Sequence, residues 1–265
     1  MATSPRVTSR RRQAIFACFG RLLPFSVFFF LATVQAVLLQ GRISGAVNGG
    51  SNFVSLSFLL NRLAGFAAAL LVAGIYVFRQ PSQGSDHRPV TSVVAFYASF
   101  LPLTISPLRM VVPGSGVIGL NPVLFLSISN VLIAAGMGLT VYSLCYLRLN
   151  FSILPEAREL TTGGPYSVVR HPVYVAEILA VSGLVLQLPV FIGVPIWLSF
   201  VAGQRWRARW EEALLAKSIP AYADYMAATP GRLVPSAFFR RITPTSLQPV
   251  PAAAGPAHRP GRRLV

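Results

Sequence analysis

Acidic residues are scarce in this chain. Seven occur among 265 residues, none before Asp86 and none between Asp86 and Glu156. Lysine is rarer still, with Lys217 alone among 23 basic residues. Charged residues make up 11% of the chain, against about a quarter in soluble domains. With 54% hydrophobic residues and a mean hydropathy of +0.61, the apolar side chains are too many for one soluble core. A soluble domain is excluded, and an integral membrane protein is expected. Cys18 and Cys145 form no CxxC pair, which argues against a disulfide framework or a thiolate metal site. The three histidines, His87, His171 and His258, lie far apart and offer no local metal motif. No metal is expected.

What the chain does have is arginine, and a net charge of +16. Basic clusters bind phosphates, but these arginines sit mainly at the ends of apolar runs and in the two tails. That is the pattern of positive-inside topology and anionic headgroups. Membrane lipids are therefore the expected partners, and nucleic acid is not.

Apolar runs at about 22–39, 56–78, 90–112 and 122–146 predict four spans. They give a basic cytoplasmic N-terminal tail (1–20) and a four-helix transmembrane region (21–150). A signal peptide has the shape of the first run, and SRRRQAIF is similar to a twin-Arg export signal. The length of the run favours an uncleaved span instead. Pro102 and Pro107 are expected to kink the third span. Asn61 and Arg62 lie near the start of the second, where an arginine can snorkel to the interface. Gly114, Gly116 and Gly119 spell GxGxxG, but a dinucleotide site needs a preceding strand and a later acid; a tight turn explains them better.

The next apolar region, 173–202, is too long for one span. A single helix would reach about 45 Å, against a hydrocarbon core of about 30 Å. Gln187, Pro189 and Pro195 interrupt it. Arg170 precedes the region and Arg205, Arg207 and Arg209 follow it, so both flanks should be cytoplasmic. A hairpin turning near Leu188 follows. The expectation is an all-α integral membrane protein of about six transmembrane helices, including a short C-terminal helical hairpin, with a cytoplasmic-face cofactor pocket. After the motif region (151–236), residues 237–265 read as a disordered basic Pro/Ala-rich tail. The chain is expected in a bacterial inner membrane.

Two polar segments would meet at the open end of that hairpin. One is LTTGGPYSVVRHPVY, from Leu160 to Tyr174, whose helix should start at Pro172. Glu177 follows, where a carboxylate favours the helix dipole. The other runs from Arg205 to Glu212 and holds the only double acid, Glu211-Glu212. Arg207 and Glu211, four apart, share a helical face and would form at least a simple ion pair. Trp206 and Trp210 share a face suited to the membrane interface.

GPYSVVRHPVY followed by R-x-x-x-E-E and the paired Tyr222 and Tyr225 resembles the isoprenylcysteine carboxyl methyltransferase family. RLVP (232–235) is similar to its bacterial branch, and the wider group includes phospholipid N-methyltransferases. The resemblance covers about 156–236. It implies S-adenosylmethionine as cofactor and a lipophilic small-molecule, lipid or prenylated acceptor. By position it implies that Glu159, Leu160, Thr161, Tyr166, His171, Pro172, Val173, Tyr174 and Glu211 contact the cofactor, with Arg170 and Glu212 in support. It further implies that Arg207 faces the acceptor. Ser218-Ile219-Pro220 replaces a Phe-Gly common in the family, and Ala208 stands where a bulky residue is usual.

Chemistry agrees with these roles. Helix-start N–H groups near Pro172 can receive the cofactor's carboxylate, Glu211 a cation or hydroxyl, and tyrosine rings a nearby cation. A carboxylate acceptor would need no base and can be clamped by Arg207. An amine acceptor would need deprotonation, with His171 the candidate. The leading expectation is methylation at a carboxylate oxygen. The alternatives are lipid amine methylation, an NADPH-dependent sterol-type reductase, or a non-enzymatic membrane protein.

Overall fold

The structure is a computed structural model that describes residues 22–49, 53–78, 84–85, 88–112, 122–154 and 156–235. The expected tails, the glycine turn at 114–119, Cys18, His87 and His258 lie outside these residues. Helices α1 (Leu23–Gly49), α2 (Phe53–Phe78), α3 (Pro89–Val111), α4 (Pro122–Leu147), α5 (Pro172–Leu186), α6 (Val190–Ser218) and α7 (Tyr222–Ala228) carry the fold. Among the described residues the fold is helical as expected, with one antiparallel pair of two-residue strands, β1 (Gly84–Ser85) and β2 (Glu156–Ala157), added to it. It ties the α2–α3 connection to the segment leading into the site.

Among the described residues, three helices are long and apolar enough to cross a membrane, over Leu23–Gln40, Leu59–Phe78 and Val123–Asn150. Apolar stretches at Pro89–Ile105 and Pro172–Leu186 are shorter. Phe30, Val93 and Phe191 are exposed, as side chains in contact with lipid would be. The 15 residues of α5 rise only about 22 Å.

The hairpin is present. Helix α5 ends at Leu186, the chain turns through Gln187–Pro189, and α6 begins at Val190. Pro195 does not interrupt α6. It sits in the second turn, where its missing N–H forfeits one bond near the helix start. The polar segment read as a surface helix is the continuation of α6, one helix of 29 residues. Cysteines introduced at Ser167 and Ala213, both exposed, are therefore expected to label from one side of the membrane. Labelling from opposite sides would refute the shared end.

Helix α4 packs along α5, α2 along α4 and α1, and α3 against α6. Small residues permit the closest of these approaches. A Cβ on Gly136 would lie 2.4 Å from the Ala180 backbone nitrogen of α5, so the two helix backbones nearly touch there. The Ser129 hydroxyl donates to the Gly183 carbonyl across the same seam, at 2.7 Å. Asn61 and Arg62 also make interhelical contacts: Asn61 Nδ2 donates to Asn130 Oδ1 at 3.0 Å, and Arg62 to Gln35 Oε1 at 3.1 Å. Interhelical polar bonds, rather than simple snorkelling, account for both residues.

One apolar cluster joins Val72, Ile75 and Tyr76 of α2, Leu144 of α4, Phe151, Ile153, Val173, Tyr174 and Ala208. It lies directly beneath the polar end of the hairpin. A second joins Ala98 and Ile105 of α3 to Val181 and Val185 of α5 and Phe200 of α6, and fixes the hairpin against the bundle.

Candidate active site

The chain leaves α4 through a 3₁₀ turn, Arg148–Asn150, with Arg148 at φ 52. For a residue other than glycine that left-handed conformation costs about 1–2 kcal/mol. It redirects the backbone so that 150–161 runs past the open end of the hairpin. Next comes a second 3₁₀ turn, Gly164–Ser167. Gly164 has φ +60, and a Cβ there would meet the Tyr146 ring at 2.4 Å, so the turn needs glycine on both counts. The Tyr225 hydroxyl of α7 donates to the Tyr166 carbonyl at 2.7 Å and holds the turn down. Burial pushes the Tyr225 hydroxyl up to about 12, so it remains a donor.

Helix α5 starts at Pro172, as expected, with His171 as its N-cap residue. The face of α6 that meets it follows helical spacing. Gln204, Arg207, Ala208 and Glu212 are buried and Glu211 is half-buried, while Arg205, Trp206 and Arg209 point outward. A period of 3.6 puts 204, 207, 208, 211 and 212 on one stripe.

An open cleft lies between these elements. Glu159, Leu160, Thr161, Tyr166, Arg170, His171, Val173, Tyr174 and Glu211 all line it. Pro172, Arg207 and Glu212 do not. The Tyr174 hydroxyl donates to Glu211 Oε2 at 2.6 Å, and His171 Nδ1 lies 3.7 Å from the same oxygen. The His171 and Tyr174 rings stack at 5.2 Å with 3° between planes.

Glu212 sits behind the cleft. It accepts from Arg170 Nε at 2.8 Å, pairs with His171 Nε2 at 3.2 Å, and accepts from Arg232 Nε at 2.8 Å. Burial alone would raise this carboxyl, but hydrogen bonds from His171, Arg232 and Arg170 hold it well below the usual carboxylate range. The same network straps residues 229–232 over the start of α5. Arg170 donates through its guanidinium to the Thr229 and Pro230 carbonyls, and through its amide to Gly231. The His171 amide is taken by Arg232. Because Pro172 has no N–H, the α5 amides left for an anion are those of Val173 and Tyr174.

Arg207 lies beside the cleft, outside its lining. It is 3% exposed, donates to Gln204 Oε1 at 3.2 Å and to the Ile153 carbonyl at 3.3 Å, and lies 4.6 Å from the Tyr174 ring centre. Two of its N–H groups are thus engaged inside the protein. Glu177 does not serve the α5 dipole: it lies beyond the first turn and turns to Gln204 and Arg207.

Asn150, Ser152, Arg158 and Leu215 line the cleft without having been assigned to it from the sequence, and Tyr222 and Tyr225, read only as part of the motif, line it too. Arg158, 5% exposed, is bridged to Glu156 at 2.7 Å. The Tyr166 and Tyr222 hydroxyls are buried and have no hydrogen-bond partner among the described residues. Burial raises both well above the usual tyrosine value, with Glu211 adding to it at Tyr166 and Glu212 at Tyr222. Two neutral donors in the cleft wall therefore lack acceptors.

Residues 124–221 match the phospholipid methyltransferase family. The matched stretch runs from the start of α4 to the foot of α7, and bears out the resemblance to this group of membrane methyltransferases. Two curated relatives are similar to part of the chain. A nickel-cobalt-cadmium resistance protein, NccN of Alcaligenes xylosoxydans xylosoxydans, is 33% identical over 89 residues, covering 33% of this chain and 39% of that protein. A cobalt-zinc-cadmium resistance protein, CzcN of Cupriavidus metallidurans, is 34% identical over 85 residues, covering 32% and 37%. The chain thus spans less than two fifths of the length of either relative.

Proposed function

We propose that this chain is a membrane-embedded, S-adenosylmethionine-dependent methyltransferase acting on a lipophilic acceptor, with six spans and its site on the cytoplasmic face of a bacterial inner membrane. One observation carries the reading: the 159–161 loop, the Tyr166 turn, the start of α5 and Glu211 wall a single cleft. The cofactor would supply a methyl group made electrophilic by its sulfonium.

The residues fit such a molecule. Glu211 is 26% exposed toward solvent and is oriented by Tyr174 to receive a cation or hydroxyl. The Val173 and Tyr174 amides suit a carboxylate. The unpartnered Tyr166 and Tyr222 hydroxyls can donate to ribose or adenine acceptors, and the stacked His171 and Tyr174 rings offer a π face to a cation. Rigid positioning of this kind is what a displacement reaction requires of a protein.

Methylation at a carboxylate oxygen was the finer expectation, with Arg207 as clamp. That role would require Arg207 to release Gln204 and Ile153, so the geometry supports it less than it supports cofactor binding. Detergent-purified protein is expected to bind S-adenosylmethionine and S-adenosylhomocysteine, measured by equilibrium dialysis with labelled ligand, and not NADPH. Binding of NADPH without the other two would favour the reductase instead.

A further inference from the structure

Helix α6 has two faces where it leaves the apolar part of the hairpin. The inward one is the stripe that carries Glu211 and Glu212. The outward one holds Arg205, Trp206 and Arg209, all exposed, with Trp206 at 52%. Among the described residues neither of these two arginines makes an ion pair.

Helix α3 sets the depth of this outward face. Tyr97 of α3 bonds to Ser199 at 2.7 Å and lies against Gly203, where a Cβ would stand 3.7 Å from its ring. Further along α3, Ile105 joins the cluster of Val185 and Leu188 near the hairpin turn, so α3 and α6 run antiparallel. Arg205 and Arg209, two and six residues past Gly203, are therefore level with residues 90–96 of α3. There α3 presents Val90 and Val93, 63% and 66% exposed, within the apolar stretch Pro89–Ile105. That stretch contains no acid. The arginines thus emerge where the neighbouring helix still shows the surface that lipid covers. A cation at that depth is costly without an anion, and headgroup phosphates are the anions a membrane holds there.

From this depth and charge we infer that Arg205 and Arg209 form a site for the headgroup of an anionic phospholipid in the leaflet on the cleft's side, with Trp206 against the start of its chains. Four residues apart on one helix, the two arginines are separated by about 6 Å along its axis, so a single phosphate can accept from both. A nucleic-acid backbone is the other polyanion such a pair could hold, but it would leave Trp206, Val90 and Val93 uncovered. The inference goes beyond the methyltransferase reading and does not depend on it. The lipid would nevertheless fix α6 within two turns of Glu211, directly behind the cleft.

The test uses the full chain carrying Trp197→Phe and Trp210→Phe, which leaves Trp206 as its one tryptophan. It is reconstituted in phosphatidylcholine vesicles containing an equal fraction of either brominated phosphatidylglycerol or brominated phosphatidylcholine. Bromine quenches tryptophan fluorescence on contact, so the two degrees of quenching give the relative occupancy beside Trp206. Phosphatidylglycerol is expected to be preferred at least about threefold, the scale usual for arginines at an anionic surface. Arg205→Gln combined with Arg209→Gln is expected to abolish the preference. Arg205→Lys combined with Arg209→Lys, which keeps both charges, should retain most of it. Equal quenching by the two lipids, a preference that survives the glutamines, or one lost as completely with the lysines would overturn the inference. None of these outcomes involves cofactor binding, so the failure of this site and the failure of the methyltransferase reading are told apart.

Discussion

Glu212→Ala is expected to be the most destabilising single substitution at the site, lowering stability by about 3–5 kcal/mol, the usual cost of removing one partner from a buried ion pair. Glu212 is 6% exposed and is shared by Arg170, His171 and Arg232. Its loss leaves the Arg170 guanidinium, whose side chain is 9% exposed, with only the Thr229 and Pro230 carbonyls. It also frees Arg232, so the 229–232 strap loses its side-chain tether. Thermal unfolding in detergent measures this, and a change below about 1 kcal/mol, an ordinary surface effect, would refute the clamp. The same carboxyl sets an acid limit. Its folded pKa lies below its unfolded value of about 4.3. The stability it contributes is therefore complete above about pH 5 and is lost as pH falls through the folded value. In Glu212→Gln that part of the acid loss should be absent.

Glu211→Ala is expected to leave stability nearly intact and to cut S-adenosylhomocysteine affinity by about 10–100-fold, as loss of a hydrogen bond to a charged group predicts. The two neighbouring acids thus separate by role. Glu212 is turned inward onto Arg170, Arg232 and His171, whereas Glu211 is more exposed, lines the cleft and accepts from Tyr174. Equilibrium dialysis beside a melting curve reads both effects on one preparation. Affinity within about threefold of the unaltered protein would remove Glu211 from the cofactor site, because so small a change is under about 1 kcal/mol.

The sequence made the frame of this site readable through backbone chemistry. Pro172 announced the start of α5, and the arginines on both flanks of 173–202 required the chain to return, as the Gln187–Pro189 turn does. Helical spacing put Arg207 and Glu211 on one stripe. Spacing gives direction around a helix axis but not the length of reach or the competing partner. Spacing therefore could not show that Gln204, one turn earlier, and the Ile153 carbonyl accept from the Arg207 guanidinium. Tyr222 and Tyr225 were visible as a motif, but their place in the cleft follows from the fold-back of α7 onto the Tyr166 turn. The amides of Arg170 and His171, just ahead of α5, were counted as free because the strap that uses both comes sixty residues later in the chain.

The Ile153 peptide has a bearing on how portable this site is. Its N–H donates to the Tyr76 hydroxyl of α2 at 2.9 Å, and its carbonyl accepts from Arg207 of α6 at 3.3 Å. One of those two grips comes from a residue well outside the stretch that matches the methyltransferase family, 124–221. Transplanting that stretch onto other helices would carry the cleft's side chains except Tyr222 and Tyr225, and would leave one end of this peptide unheld. The edge of the family likeness is not the edge of the working part.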